Sequence, residues 1–144
     1  MKILVQRVKS ANVNINNNCV GSIDKGYLLY VCFEIGDSIE TVNTAVTKII
    51  KLRIFEDNNG KMNLSINEVN GSILSISQFT LSWDGQKGHR PSFDKSLSPV
   101  EAKILYKKFN DELCKSCRLE KGQFGADMKV ESINDGPVTF FLNF

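Results

Sequence analysis

A chain of 144 residues that is 42% hydrophobic and 24% charged has the make-up of one globular domain, residues 1–144, long enough to bury a core without staples. No apolar run approaches the roughly 20 residues that cross a bilayer, and the N-terminal stretch is charged too soon for a secretory signal, so a cytoplasmic protein with no membrane partner is expected. A formal net charge of +2 permits nucleic acid binding without demanding it.

The first third reads as β structure. Residues 2–8, 12–16, 19–23 and 26–33 are short, alternating or β-branched runs, and Asn14 to Asn18 marks a turn because Asn accepts left-handed angles. Asp37 or Ser38 then caps a helix in which Ile39, Val42, Val46, Ile49 and Leu52 recur at helical spacing. Asn58-Asn59-Gly60 predicts another turn. Residues 72–78 form a buried strand that delivers Ser77-Gln78-Phe79-Thr80-Leu81 at its end. The polar loop from Ser82 to Ser96 is too long for a simple connector.

Ser98-Pro99-Val100-Glu101 starts the second helix, with Ser at the cap, Pro at the first position and Glu three residues after the cap. Ala102, Leu105, Phe109 and Leu113 make its core face. Two last strands are predicted near 127–133 and 137–142. Strands before, between and after two helices imply an α/β domain, with the helices stacked on layered sheet.

Most residues capable of chemistry have a plain structural reading. Cys114 and Cys117 form a C-x-x-C pair, but a zinc site needs four ligands and the only histidine, His89, lies outside ligand-like spacing. Reduced cysteines at a helix end are expected, with no metal and no cofactor. His89 sits in a polar loop with no carboxylate placed behind it, and there is no G-x-S-x-G elbow. The positive charge thickens at Lys87, Arg90, Lys95, Lys103, Lys107, Lys108, Lys115, Arg118 and Lys121, either as a solvated helix face or as a flank contacting phosphate.

Two segments resist such readings: Ser77 to Leu81, and Asn134-Asp135-Gly136-Pro137-Val138-Thr139. Each sets small, polar or conformationally special residues at the edge of an apolar run. A Gly-Pro step presents two bare carbonyl oxygens, and a turn leaving a strand at Gln78-Phe79-Thr80 aims consecutive N–H groups outward. Such donors stabilise the oxyanion of an attacked ester. On spacing alone, a plain strand end with Phe79 in the core is slightly favoured. Two further readings stay open: Thr80 or Ser77 as a covalent nucleophile, and an RNA-binding module without activity.

These segments, with Lys87-Gly88-His89-Arg90-Pro91-Ser92-Phe93, resemble the signatures of the D-aminoacyl-tRNA deacylases, also called D-tyrosyl-tRNA deacylases. Gln6-Arg7-Val8, Gly60-Lys61-Met62-Asn63 and Gly122-Gln123-Phe124-Gly125-Ala126 extend the likeness over nearly the whole chain. The resemblance implies a single α/β domain of layered mixed β-sheets with two main helices on one side, working as a homodimer. It implies hydrolysis of D-aminoacyl-tRNA, and of mischarged glycyl-tRNA, at the 3′ acceptor end.

In that family the Gly-Pro peptide is cis and enters the partner's active site. Gly136 and Pro137 would therefore reject L-amino acids at a pocket holding Ser77, Gln78, Phe79 and Thr80 of the other chain. Main-chain N–H groups of Phe79 and Thr80 would hold the oxyanion, Gln78 would orient the ester, and Phe79 would lie near the terminal adenosine. The substrate's 2′-hydroxyl would help to activate water. Arg7 is the candidate brace for the Gly136-Pro137 loop. Met128 would contact that loop or simply fill the core.

Overall fold

In a computed structural model, residues 1–86 and 88–144 are described, so the part of the basic run and of the Lys87–Phe93 segment that falls on Lys87 lies outside them. The predicted strands 2–8 and 12–16 are one continuous strand, β1 (Lys2–Ile15). Asn16 and Asn17 both take positive φ, 50° and 64°, and form the two-residue turn into β2 (Asn18–Ile23). β3 (Gly26–Cys32) follows, buried on both faces, as suits an apolar strand at the centre of a sheet.

α1 (Ile39–Ile50) starts at Ser38, whose hydroxyl accepts from the N–H groups of Glu40 and Thr41 while the Thr41 hydroxyl accepts from the Ser38 N–H. Its buried face is Val42, Ala45, Val46 and Ile49. Ile39 is largely exposed and Leu52 falls beyond the helix, so the predicted stripe was right at its middle and wrong at both ends. A small hairpin, β4 (Phe55–Glu56) and β5 (Met62–Leu64), turns at Gly60.

β6 (Ser72–Ser77) runs parallel to β3. Beyond it come α2 (Pro99–Cys114), capped by Ser98 with Pro99 at its first position, and β7 (Arg118–Lys121), parallel to β6. The polar sequence Arg118-Leu119-Glu120-Lys121 hid β7, because an edge strand shows no apolar alternation.

The two predicted final strands are one long strand, β8 (Lys129–Asn143), antiparallel to β1 along almost its whole length. The sheet order is β2-β1-β3-β6-β7, with β8 on β1's other edge. One core cluster lies between the sheet and both helices; a second, with Val8, Val13, Leu28, Leu74 and Ile76, fills the sheet's opposite face where it curls over itself. The expected layers are thus two halves of one mixed, nearly closed sheet.

Candidate functional site

β6 ends in the site. The Gln78 N–H still donates to the Val31 carbonyl at 2.8 Å, and the chain then tightens into a 3-10 turn, Phe79–Ser82. Later donors of this turn are used: the Leu81 N–H reaches the Gln78 carbonyl and the Trp83 N–H reaches that of Thr80. The first donors, Phe79 N–H and Thr80 N–H, have no acceptor among the described residues, as the opening of a helical turn dictates when its cap is not filled. Gln78 does not cap the turn; its Nε2 donates instead to the Thr80 hydroxyl at 2.7 Å.

Phe79 is 58% exposed, so the reading that placed it in the core is wrong. Its ring meets Phe93 edge-on at 4.9 Å between centroids, and its carbonyl accepts from the Cys32 thiol at 3.5 Å. Burial pushes the Cys32 thiol up to about 11, so it is a neutral donor and not a nucleophile at ordinary pH.

Beneath this turn is a cavity of about 670 Å³ at the C-terminal ends of the parallel strands β3 and β6. Such an end is where α/β sheets place ligands. Ser77, Gln78 and Phe79 line it, with the start of α2 opposite and residues 124–128 as a further wall. Met128 lies in this wall; a side chain at Gly122 would lie 2.4 Å from its sulfur, so the glycine leaves room for the thioether. Among the lining residues to which sequence reasoning gave no role in the site are Cys32, Phe93 and Asp127. Phe93 sat in a quoted motif without a role, and Cys32 carried no signal beyond a buried strand.

The Gly-Pro corner lies elsewhere. Opposite Arg7, residues 135–138 swell out of the β1–β8 ladder, and Asn134 ties the swelling shut by accepting from the Val138 N–H at 2.8 Å. Gly136 has φ +143° and its peptide to Pro137 is cis, with both residues exposed while Val138 turns into the core. Arg7, only 5% exposed, donates through Nε to the Asp135 carbonyl at 2.9 Å and through an η-nitrogen to the Ile54 carbonyl at 2.7 Å. A buried guanidinium thus holds the corner from behind.

In the sheet order β3 and β1 lie between β6 and β8, and β8 reaches the cavity only near its start, at Val130, whereas the Gly136-Pro137 corner comes six residues further along that strand. Within one chain Ser77, Gln78, Phe79 and Met128 meet at the cavity and Thr80 adjoins them; Gly136, Pro137 and Arg7 do not line it. His89 is exposed. Cys114 and Cys117 are free thiols at the end of α2, and no cluster able to hold a metal occurs among the described residues.

The family described as D-Tyr-tRNA(Tyr) deacylase matches residues 4–143. A D-aminoacyl-tRNA deacylase of Lactobacillus gasseri is 50% identical over 144 residues, covering 99% of this chain and 99% of its own. Another from Saccharophagus degradans is 50% identical over 143 residues, again covering 99% of each chain. The solved structure of a c-Myc DNA Unwinding Element Binding Protein is similar at a TM-score of 0.95 and 35% identity, covering 100% of this chain and 99% of that one. With turn, cavity and corner all inside the matched span, the chain belongs to the D-Tyr-tRNA(Tyr) deacylase family.

Proposed function

We propose that the protein hydrolyses the ester bond joining a D-amino acid to the 3′ end of tRNA, releasing the free amino acid and tRNA. One observation carries this reading: two main-chain donors without an acceptor among the described residues, Phe79 N–H and Thr80 N–H, stand at the edge of a cavity, while the exposed Gly136-Pro137 corner lies outside that cavity's lining. Each is half of a site. Two copies related by a dyad complete both halves, because each copy's corner enters its partner's cavity.

In the completed site the Phe79 and Thr80 N–H groups stabilise the oxyanion that forms when water attacks the ester carbonyl, an effect of about 3–4 kcal/mol per donor. The 2′-hydroxyl of the terminal adenosine assists the water, and the 3′ oxygen leaves with a proton. The carbonyls of Gly136 and Pro137 accept from the substrate's α-ammonium group. An L-side chain is driven into those oxygens, whereas a D-side chain points outward and glycine has nothing to clash.

Rejecting L by about 10⁴-fold requires about 5.5 kcal/mol. A rigid backbone clash supplies that, while an apolar pocket discriminates by about 1–3 kcal/mol. The protein acts on RNA in the cytoplasm and needs no cofactor.

The test offers D-Tyr-tRNA and L-Tyr-tRNA side by side and follows release of tyrosine. Hydrolysis of the D-ester at least about 10³-fold faster is expected. Equal rates would remove the exclusion filter. Binding of both with no release above the spontaneous rate would make the protein an RNA-binding module.

A further inference from the structure

We propose that a cationic cleft at the end of α1 holds acceptor-stem phosphates of the tRNA whose 3′ end lies in the partner copy's cavity. This rests on the cross-subunit reading above and adds the second RNA contact that reading leaves unassigned. The cleft, about 730 Å³ and open to solvent, is lined by Lys48, Lys51 and Arg53 with Asn43, Thr44 and Thr47. It has three cations and no carboxylate in its wall.

Charge balance elsewhere sets it apart. On and near α2, where positive residues thicken in the sequence, several cations are already neutralised: Lys95 by Asp84 at 2.8 Å, Lys107 by Asp111 at 2.6 Å, Lys108 by Glu112 at 2.7 Å and Lys115 by Glu112 at 2.7 Å. Among the described residues Lys48, Lys51 and Arg53 form no ion pair. The Arg53 guanidinium is braced on the carbonyl and side-chain oxygens of Asn63. The neighbouring Glu68 gives its carboxylate to the Ser65 N–H and hydroxyl, at 2.7 and 2.6 Å.

Lysines in a last helical turn also offset the negative end of the helix dipole, which is the plainer explanation for Lys48 and Lys51. It does not reach Arg53, which lies beyond the helix, nor does it explain the location. Ile54, next to Arg53, gives its carbonyl to Arg7, and Arg7 holds Asp135 immediately before Gly136. Cleft and corner are therefore one guanidinium apart. A corner seated in the partner's cavity brings the cleft to that cavity's rim, where the RNA backbone leaves. Phosphates are what such a surface reads in A-form RNA.

The experiment compares the wild type with Lys48→Gln/Lys51→Gln on two substrates, D-Tyr-tRNA and the phosphate-free 3′-O-D-tyrosyl adenosine. On tRNA the variant is expected to lose about tenfold in kcat/KM near 0.15 M salt with kcat retained. Its plot of log kcat/KM against log salt becomes shallower by about 1.5–2, one phosphate per lysine. On the adenosine ester the loss disappears. An unchanged salt slope and kcat/KM on tRNA overturns the cleft while leaving the deacylase reading intact. An equal loss on both substrates also overturns it, by showing a structural effect. A wild type that cleaves neither substrate overturns the deacylase reading itself.

Discussion

Thr80 carries a hydroxyl beside the two unpaired donors, which makes it a tempting nucleophile. That hydroxyl already accepts from Gln78 Nε2 at 2.7 Å, and among the described residues no histidine hydrogen-bonds to it to take its proton. Thr80→Ala keeps the Thr80 N–H and so is expected to retain kcat within about tenfold, whereas a lost covalent nucleophile costs on the order of 10⁴-fold or more. Single-turnover hydrolysis of D-Tyr-tRNA distinguishes the two. Phe79→Pro is the complementary change: proline suits the first position of a helical turn but deletes the Phe79 N–H, so a loss of about 10²–10³-fold is expected. The thiols give a separate test of the packing at this scale. Burial raises both Cys32 and Cys117 to about 11, from an ordinary value of 9.0. The folded state therefore keeps these protons to higher pH than the unfolded chain. Their contribution to stability is fully present below about pH 9 and is lost as pH rises from about 9 to 11. At pH 8 iodoacetamide is expected to label the exposed Cys19 and Cys114 first, with Cys32 and Cys117 slower than an ordinary thiol by about a hundredfold. Equal labelling of all four would mean that the cavity wall around Cys32 opens readily.

At the scale of elements, the parallel pairing of β3 with β6 sets where the Phe79–Ser82 turn emerges. That pairing begins at Gly26, where an added Cβ would lie 1.8 Å from the Ser72 carbonyl oxygen, a backbone atom that cannot swing aside. Gly26→Ala is expected to cost at least about 3 kcal/mol, read as a drop in Tm of about 10 °C or more, although the residue is remote from any chemistry. A change of less than 1 kcal/mol would show that the two strands can separate without penalty. Nothing in the sequence distinguished Gly26 from other turn glycines, because its constraint comes from a strand more than forty residues later. The helices were legible because their signals are local: Ser38 and Ser98 fill their caps, and Val42, Val46 and Ile49 keep helical spacing. β1 and β8 were each read as two strands for a related reason. Sequence shows where alternation falters near Val8 and Asp135, but only pairing shows that the two strands run on together through those irregularities.

At the scale of the whole molecule, the single chain holds a cavity without its corner and a corner without its cavity, so activity should belong to the dimer. The sequence contained both halves as motifs; their separation by two intervening strands depends on topology and could not be read along the chain. Mixed subunits test the arrangement directly. Let one chain carry Phe79→Pro, which removes the proposed oxyanion donor, the Phe79 N–H, from its own cavity. Let the other carry Gly136→Ala, whose new methyl would lie 2.6 Å from Val138 Cγ2 at a backbone angle of +143° that suits only glycine. Each homodimer then has two defective sites. In a mixed dimer the unaltered corner of the first chain serves the unaltered cavity of the second, giving one working site. Random 1:1 mixing makes half the particles mixed, so roughly a quarter of the wild-type rate is expected to return, with the preference for D-Tyr-tRNA restored. Sites confined to one chain cannot be rescued this way, because every chain in the mixture carries a lesion. Recovery at the level of the separate homodimers alone would confine each site to one chain and overturn the proposal that corner and cavity meet across a dimer.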